Sequence, residues 1–314
     1  MYFTTNLSKQ GEKIYDFIKE LIGAFPEIKP VKFSAPRVDI RRNRYYRINK
    51  KNLAFLKEEL KNGLIEEFSM NDNLGSENFT HEAWYTENRY SFRFHLDIAE
   101  ERWWKGYTHR YKISRPLRAE LMVNYNFLSQ KSLAKFWHFV RRMLVWVKPM
   151  CADVFSASNA NVCSSHAMGV IDIPSNYNDK NLIVRDMVTL WDEVDVLVRD
   201  AYPGLFLNKN HTELLGGVGT IRKNIPYEII EEVGNGVFML VCGDPSKWAT
   251  SEVKEKIHTC KKFISSICMA SLTKEKYDKH GVDYGTIVVQ DKVSIEIIES
   301  KVNELRKRVG IYLK

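Results

Sequence analysis

The alternation of apolar and polar positions along the chain predicts strands with two unlike faces. In residues 90–98, YSFRFHLDI, aromatic and aliphatic side chains occupy every second position. Ser91, Arg93, His95 and Asp97 fall on the opposite face. This period of two is that of a β-strand. One apolar and one water-facing side is typical of an antiparallel sheet, so we expect a sheet of that kind with one wet face.

Helical spacing and turn residues divide the rest of the chain into further elements. Ser129 is a helix-capping residue before a long apolar-periodic segment that Pro149 ends. Gly234-Asn235-Gly236 separates two apolar runs and predicts a hairpin. The predicted helices cover 8–25, 52–61, 129–147, 182–202, 251–269 and 293–308. The predicted strands cover 64–70, 90–98, 117–128, 151–158, 168–174, 227–233, 237–243 and 286–290.

The order of these elements predicts an α+β fold in which helices cover antiparallel sheets. A strand, a long helix and a strand recur at 117–158 and at about 237–290. We therefore expect two related α/β-sandwich halves, residues 1–165 and 166–314, which can also form one continuous domain.

The glycine-rich stretch at 214–224, LLGGVGTIRKN, raises the question of a phosphate-binding loop. Gly219 is followed by Thr220 and Ile221, so the Lys of a P-loop is missing. Arg222 stands where a dinucleotide fingerprint needs its third glycine. The preceding residues read as a short helix with Asn210 as its cap and Gly216 at its left-handed end. The pattern therefore favours a structural turn.

Composition and charge favour a globular cytoplasmic protein with an acidic partner. The net charge is +8 and the sequence pI is about 9.0. A basic surface of this kind suits nucleic acid or an acidic protein face. No signal peptide and no apolar run of membrane-spanning length is visible, so no membrane association is expected. The five cysteines are irregularly spaced, and we interpret them as reduced thiols.

The most distinctive basic segment is DIRRNRYYRINKK at 39–51. Arginine can bind phosphate through bidentate hydrogen bonds and tyrosine can stack on bases, so the segment is a candidate nucleic-acid site. It is also typical of a charged, solvated edge strand, and an acidic protein partner is a third interpretation. A second candidate surface is RWWKGYTHRY at 102–111, because two adjacent Trp side chains cannot both face one core from a strand. The alternative, which the pattern favours, is that a local bend lets both pack in the core. The candidate partner-binding residues are Arg41, Arg42, Arg44, Tyr45, Tyr46, Arg47, Trp103 and Trp104.

Constellations with catalytic or metal-binding chemistry are incomplete in the sequence. His81 and Glu82 lack the second His of a metalloprotease helix. Cys163 and His166 form half of a zinc-ligand pattern near Cys151 and Asp153. His95 and Asp97 share a strand face without an evident third ligand, and Asp192, Glu193 and Asp195 fit the solvated face of a helix. We therefore expect no enzyme activity, no metal and no cofactor.

The segment from about 182 to 268 has four distinctive features in order. They are a long helix ending near Tyr202-Pro203-Gly204, Leu-Gly-Gly at 215–217, the Gly-rich hairpin turn and Asp244-Pro245. In these features the segment resembles the immunity proteins of bacterial polymorphic-toxin and type VI secretion systems. The resemblance implies a non-enzymatic cytoplasmic protein that binds and blocks a cognate protein toxin. The alternative is a nucleic-acid-binding protein, such as one in phage defence, that uses residues 39–51. The oligomeric state stays open.

Overall fold

The chain forms two compact units, Met1–Pro149 and Met150–Lys314, in the computed structural model. The structure describes residues 1–3, 5–37, 45–72, 92–99, 117–123, 128–154, 195–198, 200–268, 271 and 292–311. The boundary expected between 165 and 166 falls within residues 155–194, outside the described residues. None of the helices described has the length and apolar content that crossing a bilayer demands.

The first unit is built on an antiparallel sheet with the strand order β3-β2-β4-β5-β6-β1. The predicted strands at 64–70 and 90–98 correspond to β4 and β5. The strand bounds are β1 Tyr2–Phe3, β2 Lys32–Ser34, β3 Tyr45–Arg47, β4 Glu67–Asn71, β5 Phe92–Asp97 and β6 Leu117–Val123.

Helices α1 Gly11–Ile22 and α3 Gln130–Val147 pack on the apolar face of this sheet. The ring of Phe17 in α1 lies 5.7 Å from that of Phe94 in β5 and 5.4 Å from that of Phe139 in α3. Helix α2 Lys50–Lys61 packs against α1. Ser129 caps α3 as predicted, because its hydroxyl accepts the backbone N–H of Ser132.

The prediction of one wet face on β5 is wrong. Arg93, His95 and Asp97 share one face as expected, but only 8%, 3% and 7% of their surfaces are exposed. Alternation in a sequence reports which side chains share a face, not whether water reaches that face. A buried polar side chain is tolerated where it is hydrogen-bonded, and His95 and Asp97 satisfy each other at 2.9 Å.

The second unit contains an antiparallel sheet with the strand order β7-β8-β10-β9. Helix α4 packs against β8 and β10. The α+β class with helices on antiparallel sheets is therefore confirmed. The strands are β7 Cys151–Val154, β8 Gly204–Asn208, β9 Ile229–Val233 and β10 Gly236–Leu240. The helices are α4 Lys209–Leu214, α5 Val218–Asn224, α6 Ser251–Phe263 and α7 Lys292–Arg308.

Two predicted glycine turns are present in this unit. Gly234 has a φ of +61° in the two-residue loop between β9 and β10, as a hairpin turn with glycine at its first central position requires. Gly216 has a φ of +83° just after α4. The predicted cap of α4 is wrong by two residues, because Asn208 rather than Asn210 accepts the backbone N–H of His211.

The predicted helix over 182–202 is also corrected where the structure describes it. Asp195 and Val196 form a turn, and Val198 makes a parallel bridge to Cys268. Asp195 is not a solvated helix-face residue, since its carboxylate lies 3.0 Å from the guanidinium of Arg306. The following strand β8 was not predicted. The predicted strands at 168–174 and 286–290 lie outside the described residues.

Candidate functional site

The face of the first sheet opposite α1 and α3 is polar across four adjacent strands. Antiparallel partners place their side chains on the same side, so the strand register sorts this face into rows. One row is basic, and a second contains a Tyr, two Ser and a His. The rows are Arg47, Lys32, Asn71 and Arg93; then Tyr45, Ser34, Ser69 and His95; then Glu67 and Asp97. The face therefore grades from basic to acidic along the strand direction.

The outer end of this face lies on β3, which is the edge strand of the sheet as far as the structure describes it. This agrees with the interpretation of the basic segment as a charged edge strand. Tyr45 is 40% exposed, Arg47 is exposed, and the Lys32 ammonium lies 5.2 Å from the centre of the Tyr45 ring. A cation over an aromatic face is an attractive contact, so Lys32 and Tyr45 form one preorganised polar and aromatic surface.

Tyr46 points to the other side of β3 and belongs to the core. Its ring stacks on Phe33 with centroids 5.2 Å apart and planes 23° from parallel. On its outer side the ring lies 5.5 Å from Phe55, which is 37% exposed on α2. Of the two predicted tyrosines, Tyr45 faces solvent and Tyr46 anchors the edge strand to the core.

The start of α2 extends the surface around Tyr45. The side-chain amide of Asn52 donates to the backbone oxygen of Arg47 at 2.8 Å and fixes α2 to the end of β3. Lys50 and Lys51, in the first turn of α2, are exposed. We call the surface formed by Lys32, Tyr45, Arg47, Lys50 and Lys51 the edge patch.

The inner end of the polar face holds a hydrogen-bonded group that we call the inner cluster: Glu67, Ser69, His95 and Asp97. The Ser69 hydroxyl lies 2.8 Å from His95 Nδ1, and His95 Nε2 lies 2.9 Å from Asp97 Oδ1. Glu67 Oε1 lies 3.6 Å from His95 Nδ1. Because a carboxylate only accepts, we place a hydrogen on Nε2. The Ser69 hydroxyl has one hydrogen, which it can donate to Nδ1 or to Glu67 Oε1, 3.4 Å away.

The inner cluster contains more than sequence reasoning found. His95 and Asp97 were recognised as a pair on one strand face, but Glu67 and Ser69 come from β4. One donor atom each from Glu67, His95 and Asp97 lies within 4.8 Å of the others. The arrangement brings three side chains of metal-binding type together.

Most of the remaining candidate residues named from the sequence lie outside the part of the chain that the structure describes. Arg41, Arg42, Arg44, Trp103 and Trp104 lie outside the described residues. So do His81, Glu82, Cys163, His166, Asp192 and Glu193.

The four described cysteines are buried and form no disulfide with one another: Cys151, Cys242, Cys260 and Cys268. Burial raises the pKa of Cys260 to about 12 and that of Cys268 to about 11. Both therefore stay protonated at neutral pH, and a protonated thiol is a poor nucleophile.

Two further buried titratable groups of the second unit serve packing. Burial lowers the pKa of His211 to about 3, partly offset by the backbone of Leu197, so the ring is neutral. His211 Nδ1 accepts the Asn208 backbone N–H at 3.2 Å. Asp200 is 3% exposed and lies 2.9 Å from the Lys261 ammonium. Burial raises the pKa of Asp200, and Lys261 opposes that effect.

No protein-family model and no curated protein matches the chain. The chain is similar to Pseudomonas aeruginosa T6SS protein PA0821, with 13% sequence identity and a TM-score of 0.47, over 99% of this chain and 84% of that chain.

Proposed function

We propose that this protein binds and blocks a cognate bacterial toxin, without a catalytic step of its own, and that the edge patch takes part in the contact. The observation that carries the proposal is the exposure of Tyr45 beside Arg47 on one face of an edge strand. Tyr and Arg are enriched among the residues that dominate the affinity of protein interfaces.

The positive charge of the edge patch indicates which charge a partner surface should carry. Its members are four cations around one aromatic ring, and the row behind it continues to Arg93. Acidic groups on a partner gain on-rate and specificity from such a surface. We therefore expect the toxin to present an acidic, partly apolar surface to this edge.

The packing of Tyr46 favours a protein partner over single-stranded nucleic acid. Non-specific binding of a strand uses aromatic rings on which successive bases stack. Tyr46 is engaged by Phe33 on one side and by Phe55 on the other. Tyr45 thus offers the one solvent-facing ring of the described part of the segment, and Lys32 lies over that ring.

Three of the four features that carry the resemblance in the second unit support the same class of function. They occupy turns: Gly216 ends α4, Gly234 forms the hairpin turn, and Asp244 caps the short helix that starts at Pro245. The fourth feature, a long helix ending near Tyr202, is not formed at the described residues 195–198. The three turn positions shape the fold and carry no chemistry. They fit a protein that acts through its surface.

The proposal is tested by co-expression of this protein with the product of the neighbouring gene, which is the candidate toxin. The assay measures whether this protein captures that product. We compare the parent chain with a Tyr45→Ala/Arg47→Glu variant and with Lys209→Glu, which changes an exposed cation in the second unit. Loss of an aromatic and a charged hot spot costs about 2 kcal/mol or more, so we expect at least a 10-fold loss of affinity. The Lys209→Glu control should bind as the parent does.

Two results would contradict the proposal. Equal capture by the parent and the double variant would exclude the edge patch from the contact. Failure of the parent to capture its neighbour, together with binding of RNA or DNA that falls steeply with salt, would instead support the nucleic-acid interpretation.

A further inference from the structure

We infer that Glu67, His95 and Asp97 form a binding site for Zn²⁺ on the polar face of the first sheet. The inference concerns the protein by itself and does not depend on the toxin-binding proposal. It goes beyond the sequence-based expectation, which found His95 and Asp97 without a third ligand.

The strand register brings the three ligands together. Glu67 in β4 is paired with Asp97 in β5, and His95 stands two residues before Asp97 on the same face. One donor atom from each lies within 4.8 Å of the other two. In a tetrahedral zinc site with bonds of about 2.1 Å, two ligand atoms lie about 3.4 Å apart. Side-chain rotations that bring the three donor atoms closer by up to about 1.4 Å would therefore close the site.

The ligand chemistry favours zinc over magnesium or calcium. An imidazole nitrogen with carboxylate oxygens suits zinc, whereas magnesium and calcium prefer oxygen alone. Two carboxylates also balance the charge of a divalent ion. The Ser69 hydroxyl, 2.8 Å from His95 Nδ1, is a further polar group at the same place.

Burial supports the same position, and the nearest cation of the same strand face stands away from the two carboxylates. The side chains of His95 and Asp97 are 3% and 10% exposed, and that of Glu67 is 27% exposed. The ligands are thus largely shielded from water, with Glu67 at the more open side. Arg93 repels a cation, but it stands on the far side of His95 from Asp97, in the row with Asn71.

The ion would join β4 to β5 through their side chains. In the metal-free arrangement His95 Nε2 lies 2.9 Å from Asp97 and Ser69 lies 2.8 Å from Nδ1. Binding through either ring nitrogen replaces one of these hydrogen bonds. A ligand that binds only the folded state stabilises it by mass action, so thermal stability should rise with zinc concentration.

The experiment is calorimetric titration of the chelator-treated, folded protein with ZnCl₂. We compare the parent with Glu67→Gln, His95→Gln and Asp97→Asn, and use His258→Gln, at an exposed His in the second unit, as the matched control. We expect one equimolar site in the parent and in His258→Gln. Loss of a direct ligand should weaken binding by more than the 10- to 100-fold typical of outer-shell partners.

Cobalt substitution distinguishes this site from binding to the buried cysteines. The Co²⁺-loaded protein should show visible d–d bands without thiolate-to-cobalt charge transfer, and His95→Gln should remove those bands. Glu67→Gln, at the more open ligand, keeps the test informative if His95→Gln does not fold. Absence of equimolar binding to the folded parent, thiolate spectra, or parent-like affinity in Glu67→Gln would overturn the inference.

Discussion

Replacement of Asn208 should be among the most damaging single changes in the second unit. Its side chain accepts the His211 backbone N–H at 3.0 Å and thereby caps α4. Its amide donates to the backbone oxygens of Met150 at 2.8 Å and Asp195 at 3.0 Å. One side chain, 6% exposed, thus links the end of β8 and the start of α4 to Met150, just before β7, and to the turn at Asp195.

The cost of Asn208→Ala follows from these bonds. Loss of an N-cap costs about 0.5–2 kcal/mol. The part-buried Met150 carbonyl loses its amide partner, which costs about 1 kcal/mol, the low end of the range for a buried acceptor. The Asp195 carbonyl keeps the amide of Asn210 at 3.2 Å. We therefore expect Asn208→Ala to lower the free energy of unfolding by about 2–4 kcal/mol.

Asn210→Ala is the matched comparison, because the sequence pattern had named Asn210 as the cap. It removes one bond to a carbonyl that Asn208 still satisfies, so we expect a loss of about 0.5–1 kcal/mol. Asn208→Asp keeps a capping oxygen but not the two donated bonds, and it should remain clearly destabilised. Urea unfolding followed by circular dichroism measures all three variants. A larger loss in Asn210→Ala than in Asn208→Ala would refute the reasoning.

Three further predictions concern glycines, pH and a buried ion pair. Gly236→Ala places a Cβ 2.1 Å from the Leu207 backbone oxygen and should lower the free energy of unfolding in urea by about 3 kcal/mol or more. The Cβ of Gly219→Ala in α5 meets nothing within 4 Å, so this variant should be more stable than the parent by about 0.5–1 kcal/mol. The reverse order of stabilities would contradict the local geometry. Hydrogen bonds from Ser129 and Ser132 lower the pKa of Glu27 from 4.5 to about 2. The stability that Glu27 contributes is therefore complete above about pH 4.5 and is lost as the pH falls toward 2. The difference in free energy of unfolding between the parent and Glu27→Gln should shrink over that range, and a constant difference would contradict the prediction. Lys261→Met removes this cation from the buried Asp200 carboxylate and should lower the free energy of unfolding by about 2 kcal/mol at pH 7. The cost is smaller than for a fully buried pair because the Lys261 side chain is 29% exposed. The loss of stability should diminish in acid, where Asp200 is protonated, and Lys262→Met, at an exposed neighbour, should have almost no effect.

Local signals predicted the parts of the fold that depend on neighbouring residues alone. Ser129 before an apolar-periodic run, Gly216 after α4 and Gly234 in a tight hairpin each act within a few residues of themselves. Such capping and turn chemistry is readable without knowledge of the tertiary structure.

The errors arose where distant contacts decide the structure. β8 is buried on both faces and therefore shows no alternation. Residues near 198 have an apolar pattern that fits a helix, but Val198 pairs with Cys268 instead. Asn208 and Asn210 are equally good caps by residue type, and the reciprocal bond from His211 selects Asn208.

The same limit applies to the candidate site. The shared face of His95 and Asp97 was visible in the alternation of β5. Ser69, 26 residues before His95 in the chain, becomes its neighbour only through the pairing of β4 with β5, and Glu67 follows from the same register. Tyr45 and Tyr46 are adjacent in sequence, and the sheet alone determines which of them faces solvent.

Growth of bacteria that express the neighbouring gene product, with and without this protein, tests the central proposal most directly. We predict that the neighbour alone arrests growth, that the parent chain restores it, and that Tyr45→Ala/Arg47→Glu, expressed at the same level and folded, restores it poorly. A neighbour that is harmless alone, or whose toxicity the parent chain leaves unchanged, would contradict the proposed function.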